Sequence, residues 1–339
     1  MVIEPWRGTP QDWDAFASRQ HGCTHFQRYA WKDLIERVHG HECLYLATLE
    51  DGQLRGVLPL IRVKSLIFGH YLVSMPFLNY GGPLGDKDAV RALADHAAML
   101  ARDGGAKLME LRSRLPLPVD LPVSHRKITV VLDLPEEGSE ALWKAIPAKV
   151  RSQVRRPGKE GVEVRFGPGQ VEPFYHVFSR HMRDLGTPAQ PRELFESIAR
   201  SFPDDSWFVC AWFNGKPVAC GAGFRWNDEF EMTWASALAE YNRIAPNMLL
   251  YWSFMEHAME AGLKLFNFGR CTPDSGTHRF KRQWGSRDEQ LHWYQVSRTD
   301  SAATPSPDQG AWSWGPRLWK HLPLPVAGAL GGRIVRYIP

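Results

Sequence analysis

The sequence predicts an α+β protein built from one structural unit used twice. Two recurrences carry this expectation. A strand–turn–strand pattern around Asp51-Gly52 returns around Asn214-Gly215, and both dipeptides favour the positive φ angles of a tight hairpin. A helix followed by Gly-x-Lys-Leu also returns, at Arg91–Leu108 and at Pro246–Leu265, in the same order and at a similar offset. At 339 residues the chain accommodates two domains of roughly 150 residues. The expected division is 1–135, 136–298, and 299–339 as a linker and Trp-rich tail.

In the first half, Met1–Trp6 reads as a strand, and Thr9-Pro10-Gln11-Asp12 as a capped helix start with proline at the first position. Gln27–Val38 is an amphipathic helix, Cys43–Leu49 and Leu54–Val63 are paired strands, and Tyr71–Phe77 is a further strand. Lys87–Arg102 is a helix ended by Gly104-Gly105, and Lys107–Arg112 and Ile128–Leu132 are strands. In the second half, Ser139–Arg156 is a basic helix expected to stop at Pro157-Gly158. Val171–Asp184 and Pro191–Ser201 are helices, and Trp207–Phe213, Val218–Trp226 and Phe230–Ala237 are strands. The helix Pro246–Ala261 leads into the apolar strand Leu263–Phe268.

Composition sets bounds. A charged content of 23% with a net charge of +4 is only mildly basic and does not by itself imply nucleic acid. The five cysteines have no metal-ligand spacing and read as reduced thiols of a cytosolic protein, with no metal expected. No run of ~18 apolar residues and no apolar signal core occur. After Ser297 the chain turns polar and proline-containing, Thr299–Gln309, then Trp-rich from Trp312. Two readings of that tail stand: it folds back on a domain, or it lies on an anionic membrane surface with Arg outward.

The stretch Gly262–Trp284 is where chemistry is expected. A buried strand runs into Gly269-Arg270, then into the polar turn Thr272–Gly276, then into a helix carrying Arg279, Lys281 and Arg282. Cations and backbone amides meeting at a strand end suit an anion or a developing oxyanion.

Three pieces carry a family resemblance: Arg180–Pro188, Phe268–Thr277, and Phe280-Lys281 with Trp284-Gly285. With the element order they resemble the FemAB family, which has two tandem N-acetyltransferase-like (GNAT) folds with mixed, mostly antiparallel sheets. The pattern is most similar to FemAB-like proteins of bacterial exosortase/PEP-CTERM exopolysaccharide systems. The resemblance spans roughly residues 1–298. It implies transfer of an acyl or aminoacyl group to an amine, with aminoacyl-tRNA or acyl-CoA as co-substrate and no tightly bound cofactor. The implied partners are an amine-bearing glycan or lipid-linked acceptor, with tRNA and peripheral membrane contact as further candidates. The implied location is the cytoplasm or the inner membrane face.

Amide formation from an ester or thioester needs a deprotonated amine, a stabilised oxyanion and two aligned substrates. Lys281, matching the lysine of the family's FK segment, is the oxyanion candidate, and Arg270 shares that role or grips a phosphate. Asp274 and Glu231 are the base candidates, with His181 and His278 as alternatives. Asp274 has a strong rival role, capping the helix that follows, and the rival reading of Glu231 is a residue facing solvent on its strand. Substrate-binding candidates are Arg180, His181, Arg183, Thr272 and Ser275. Asn247 caps or opens its helix or touches ligand, and Tyr80 lines the equivalent edge of the first unit or makes a tight turn. Arg151 and Arg155, on the basic helix, meet phosphates or form a solvated face. The glycines that hold a CoA pyrophosphate in GNAT proteins are missing from Tyr241–Asn247, which counts against acetyl-CoA. The competing reading is a non-catalytic GNAT-fold scaffold of an exopolysaccharide assembly system.

Overall fold

The computed structural model describes residues 1–65, 68–297 and 315–338. The expected linker Thr299–Gln309 and the residues Trp312 and Trp314 lie outside that range. In the first half the elements are β1 (Val2–Pro5), α1 (Pro10–Ser18), α2 (Ala30–His39), β2 (Glu42–Glu50), β3 (Gln53–Ser65), β4 (Gly69–Val73), β5 (Leu84–Gly85), α3 (Lys87–Asp103), β6 (Leu108–Ser113) and β7 (Val123–Ser124). The second half holds β8 (Ile128–Asp133), α4 (Ser139–Ala145), α5 (Ala148–Lys159), β9 (Glu163–Phe166), α6 (Val171–Leu185), α7 (Arg192–Ser201), β10 (Ser206–Phe213), β11 (Lys216–Trp226) and β12 (Glu229–Ala237). It continues with α8 (Pro246–Glu260), β13 (Leu265–Cys271), α9 (Gly276–Arg282), β14 (Arg287–Gln290), β15 (His292–Ser297), α10 (Gly315–Trp319) and α11 (Leu324–Val335).

The chain divides into two compact units, each with its own sheet. Among the described residues the first sheet runs β1-β2-β3-β4-β6-β15-β7, with β5 beside β3. The second runs β9-β10-β11-β12-β13-β8-β14. The two orders match position by position, so the duplication read from the glycines is a duplication of topology. In both sheets one central pair is parallel, β4 with β6 and β12 with β13, and each is bridged by a helix, α3 or α8. That is the connection a parallel pair requires.

Packing follows from side-chain size. In the first unit α3 presents Ala94, Ala97, Ala98 and Ala101, which sit against Leu58, Leu60 and Met109. In the second unit α8 buries Leu250, Phe254, Met255 and Ala258 against Phe230, Phe266 and Phe268. Each fully buried side chain of this size contributes about 1.5–3 kcal/mol. The opposite face of that sheet takes Phe174 and Phe195, whose rings lie 5.3 Å and 4.9 Å from Phe208 and Phe174 respectively.

Three local expectations are corrected. The basic helix does not stop at Pro157; it breaks earlier, at Pro147, and α5 continues to Lys159 with Pro157 inside its last turn. The residue before Pro147, Ile146, takes extended ψ of 148°, as the proline ring demands, whereas Pro157 near the helix end disturbs little. The strand expected over Tyr71–Phe77 ends at Val73, because Met75 and Phe77 adopt φ of 49° and 72° and turn the chain back. Strand β8 precedes the expected boundary at 135 yet belongs to the second sheet, and β15 belongs to the first. Each sheet is completed by a strand from the other half of the sequence.

Candidate functional site

The parallel pair in each unit is short. In the second unit β12 and β13 pair only at Glu229–Leu265, Phe230–Phe266 and Glu231–Asn267. Past that point β12 runs on to Ala237 beside β11, while β13 turns to β8 through a register shift between Asn267 and Arg270. The sheet therefore forks after Glu231 and Asn267. Gly269, at φ of 74°, supplies the bend at the fork that a β-branched or bulky residue would resist.

A buried polar network holds the apex. Asn267, fully buried, accepts from the Thr129 hydroxyl at 2.6 Å and from the Gly269 N–H at 2.8 Å, and its amide donates to Glu229 at 2.7 Å. Lys281 projects from α9 and is only 4% exposed. Its Nζ donates to the carbonyls of Gly269 at 2.7 Å and Arg270 at 3.0 Å. Burial pushes its pKa down from 10.5 to about 8; Cys271 and Glu231 oppose that shift, and Arg270 adds to it. Lys281 is thus within electrostatic reach of both Arg270 and Glu231. Glu231 is corrected in one respect: it is buried at 6% exposure and does not face solvent.

The turn residues stand further out. Asp274 is exposed, at φ of 60°, and does not cap the helix; Ser275 does, accepting from the His278 N–H at 3.1 Å. Thr272 is exposed too. The Asp274 N–H donates to His278 Nδ1 at 3.0 Å, so the proton of that ring sits on Nε2, which faces Asp288 at 3.1 Å. His278 is an orienting element of the turn.

On α6, His181 is bonded to the backbone of Ala237 at the end of β12, and burial lowers its pKa. Arg180 pairs with Glu240 at 2.7 Å. Arg183 pairs with Asp184 at 2.6 Å and donates to the Leu322 carbonyl at 3.0 Å, so it ties down the C-terminal segment. Asn247 is half-buried at the second position of α8; the N-cap is Ala245 at φ of 53°, with Pro246 after it and no side-chain cap. Arg151 closes the end of α4 by donating to the carbonyls of Trp143, Lys144 and Ile146. Arg155 lies over the Trp143 ring at 5.0 Å. Tyr80 is buried in the first unit and lines a cavity of about 430 Å³ whose rim carries His21, Lys87 and Arg114.

The first unit shows what a filled fork looks like. Its parallel pair ends at Val73–Glu110, the positions that match Glu231–Asn267. Beyond it the chain's own loop occupies the edge of β6: Ser74 N–H donates to the Glu110 carbonyl at 2.9 Å and Gly81 N–H to that of Arg112 at 3.0 Å. Glu110 and Arg112, 0% and 1% exposed, form an ion pair at 2.7 Å beneath it. In the second unit the carbonyl that corresponds to that of Arg112, Gly269, is met by a lysine side chain from α9. Asn267 and Thr129 were missed by the sequence reading; a lone Asn inside Leu-Phe-Asn-Phe was the available signal.

Among the described residues no group of His, Cys, Asp and Glu could hold a metal ion, and no helix is long and apolar enough to cross a membrane. Residues 147–282 match the family described as acetyltransferase (GNAT) domain. No curated protein matches the chain in sequence. Among solved structures, FemX is similar at 15% identity and a TM-score of 0.67, covering 87% of this chain and 98% of that one. L-PGS from Bacillus licheniformis is similar at 12% identity and a TM-score of 0.56, covering 97% of each chain. A tandem GNAT protein from the clavulanic acid biosynthesis pathway is similar at 15% identity and a TM-score of 0.51, covering 87% and 96%. Residues 147–282 thus resemble an acetyltransferase (GNAT) domain, and the chain as a whole has a tandem GNAT-like α+β fold similar to that of FemX.

Proposed function

We propose that the second unit transfers an acyl or aminoacyl group from an activated ester or thioester to an amine, without a covalent protein intermediate. The observation that carries this reading is the forked β12–β13 pair with the buried Lys281 ammonium at its apex, beside Glu231 and Arg270. The match of residues 147–282 to a GNAT acetyltransferase domain supports it.

In this scheme the acceptor nitrogen attacks the acyl carbonyl, a C–N bond forms, and the C–O or C–S bond to the donor breaks. Glu231 takes the amine proton, and the leaving alkoxide or thiolate is protonated in turn. Lys281 spends two of its three N–H bonds on Gly269 and Arg270, which fixes the direction of the third toward the developing oxyanion. Arg270 suits a phosphate of an acyl-CoA or of an aminoacyl-tRNA end. The acceptor is an amino-bearing cell-envelope or exopolysaccharide precursor, in line with the resemblance carried by Arg180–Pro188 and Phe268–Thr277.

The test is a transfer assay read by mass spectrometry. Acyl-CoAs and aminoacyl-tRNAs are offered with amine-bearing glycan and peptidoglycan precursors. Lys281→Met should lower the rate about 10²- to 10³-fold at unchanged fold. A protein that consumes no donor, or a Lys281→Met variant as active as wild type, would defeat the proposal and favour a scaffold.

A further inference from the structure

The C-terminal segment places its apolar side chains on the outside. Helix α11 reads LPVAGALGGRIV and holds one polar side chain, Arg333. Its inner face is small: Ala327 and Gly331 are buried, and a Cβ on Gly331 would stand 3.2 Å from the Ala189 backbone. Only glycine and alanine allow that approach, so the larger residues are turned outward. Val326 and Leu330, one helical turn apart, are 42% and 41% exposed. On α10, Leu318 is 59% exposed. α10 packs at the end of α6, where a Cβ on Gly186 would come within 2.5 Å of the Pro316 carbonyl, and Leu185 beside it is 54% exposed. Arg183 holds the segment in this pose through the Leu322 carbonyl.

Charge separates the occupants of such a surface. Arg317, Lys320 and Arg333 are all exposed, and from Gly310 to Pro339 the sequence contains no Asp or Glu. A second copy docked by a two-fold axis would set these cations against their own images. An anionic surface would attract all three. A helix apolar on nearly every face is normally buried or in contact with lipid. Twelve residues span only about 18 Å, short of the ~30 Å hydrocarbon core, so the helix lies along a bilayer and does not cross it.

We infer that α10 and α11 form an interfacial docking surface for an anionic lipid membrane, with Leu318, Val326 and Leu330 entering the acyl boundary and Arg317, Lys320 and Arg333 meeting headgroups. This inference is independent of the transfer reaction.

The experiment is co-sedimentation of the full chain with phosphatidylcholine vesicles and with vesicles doped with phosphatidylglycerol, at low and high salt. Binding is expected to the doped vesicles and to weaken with salt. Leu330→Glu should weaken it by about tenfold and Arg317→Glu by at least about fivefold, with melting temperatures kept because both side chains are exposed. Absence of binding to anionic vesicles would overturn the inference, as would binding indifferent to Leu330→Glu. Concentration-dependent dimers abolished by Leu330→Glu would assign the surface to a second copy instead.

Discussion

Lys281 Nζ lies 2.7 Å from the carbonyl oxygen of Gly269, so a helix and a strand end meet through residues twelve positions apart. This contact joins α9 to β13 where the second sheet forks. It also places a nearly buried ammonium against backbone oxygens, which fixes how the site responds to pH.

Burial holds the folded pKa of Lys281 at about 8, below the 10.5 of the free side chain. Between those values the unfolded chain keeps the proton that the folded chain has released, so folding stability rises with pH through that window. Below about 8 the full cost of the buried charge is present. Lys281→Met lacks this term. Urea unfolding should show wild type gaining on the variant by on the order of 3 kcal/mol across the window. A difference that stays flat with pH would contradict the assignment.

Arg112 in the first unit is buried with Glu110 and stacks 4.6 Å from the centre of the Trp293 ring. Arg112→Met deprives the buried Glu110 carboxylate of its cation, though Gln295 still donates to it at 2.6 Å, and should cost about 3 kcal/mol. The double change Glu110→Gln with Arg112→Met should cost less than Arg112→Met alone. Denaturant midpoints of the three proteins settle the order.

Thr129→Val removes one donor to Asn267 and leaves the Gly269 N–H in place, so about 1 kcal/mol of stability should go. Asn267→Leu removes the acceptor of the buried Thr129 hydroxyl and of the Gly269 N–H together and should cost about 1–3 kcal/mol for each of these two groups. Equal losses in the two variants would show that the network does not act through Asn267.

Gly223 lies under the fork: a Cβ there would stand 2.0 Å from the Glu231 carbonyl oxygen and 2.8 Å from the Phe230 ring. Gly223→Ala should cost about 1–3 kcal/mol through overpacking and displace Glu231. The expected signature is a lowered melting temperature together with a transfer rate reduced further than in a control variant of equal stability loss in the first unit.

The sequence by itself determined the duplication, because Asp51-Gly52 and Asn214-Gly215 fix hairpins by local φ preference and need no distant partner. It determined most helices through caps and periodicity, as at Thr9 and Gly186. Tertiary structure decided which sheet β8 and β15 join, since an apolar strand of that length pairs with whichever edge is presented to it. It decided that Glu231 is buried and that Arg151 and Arg183 bond to backbone carbonyls, because a long polar side chain reads the same in sequence on either side of a sheet. It decided above all that one fork is plugged by Ser74 and Gly81 while the other is met by Lys281: those contacts join residues whose distance in space no local preference encodes.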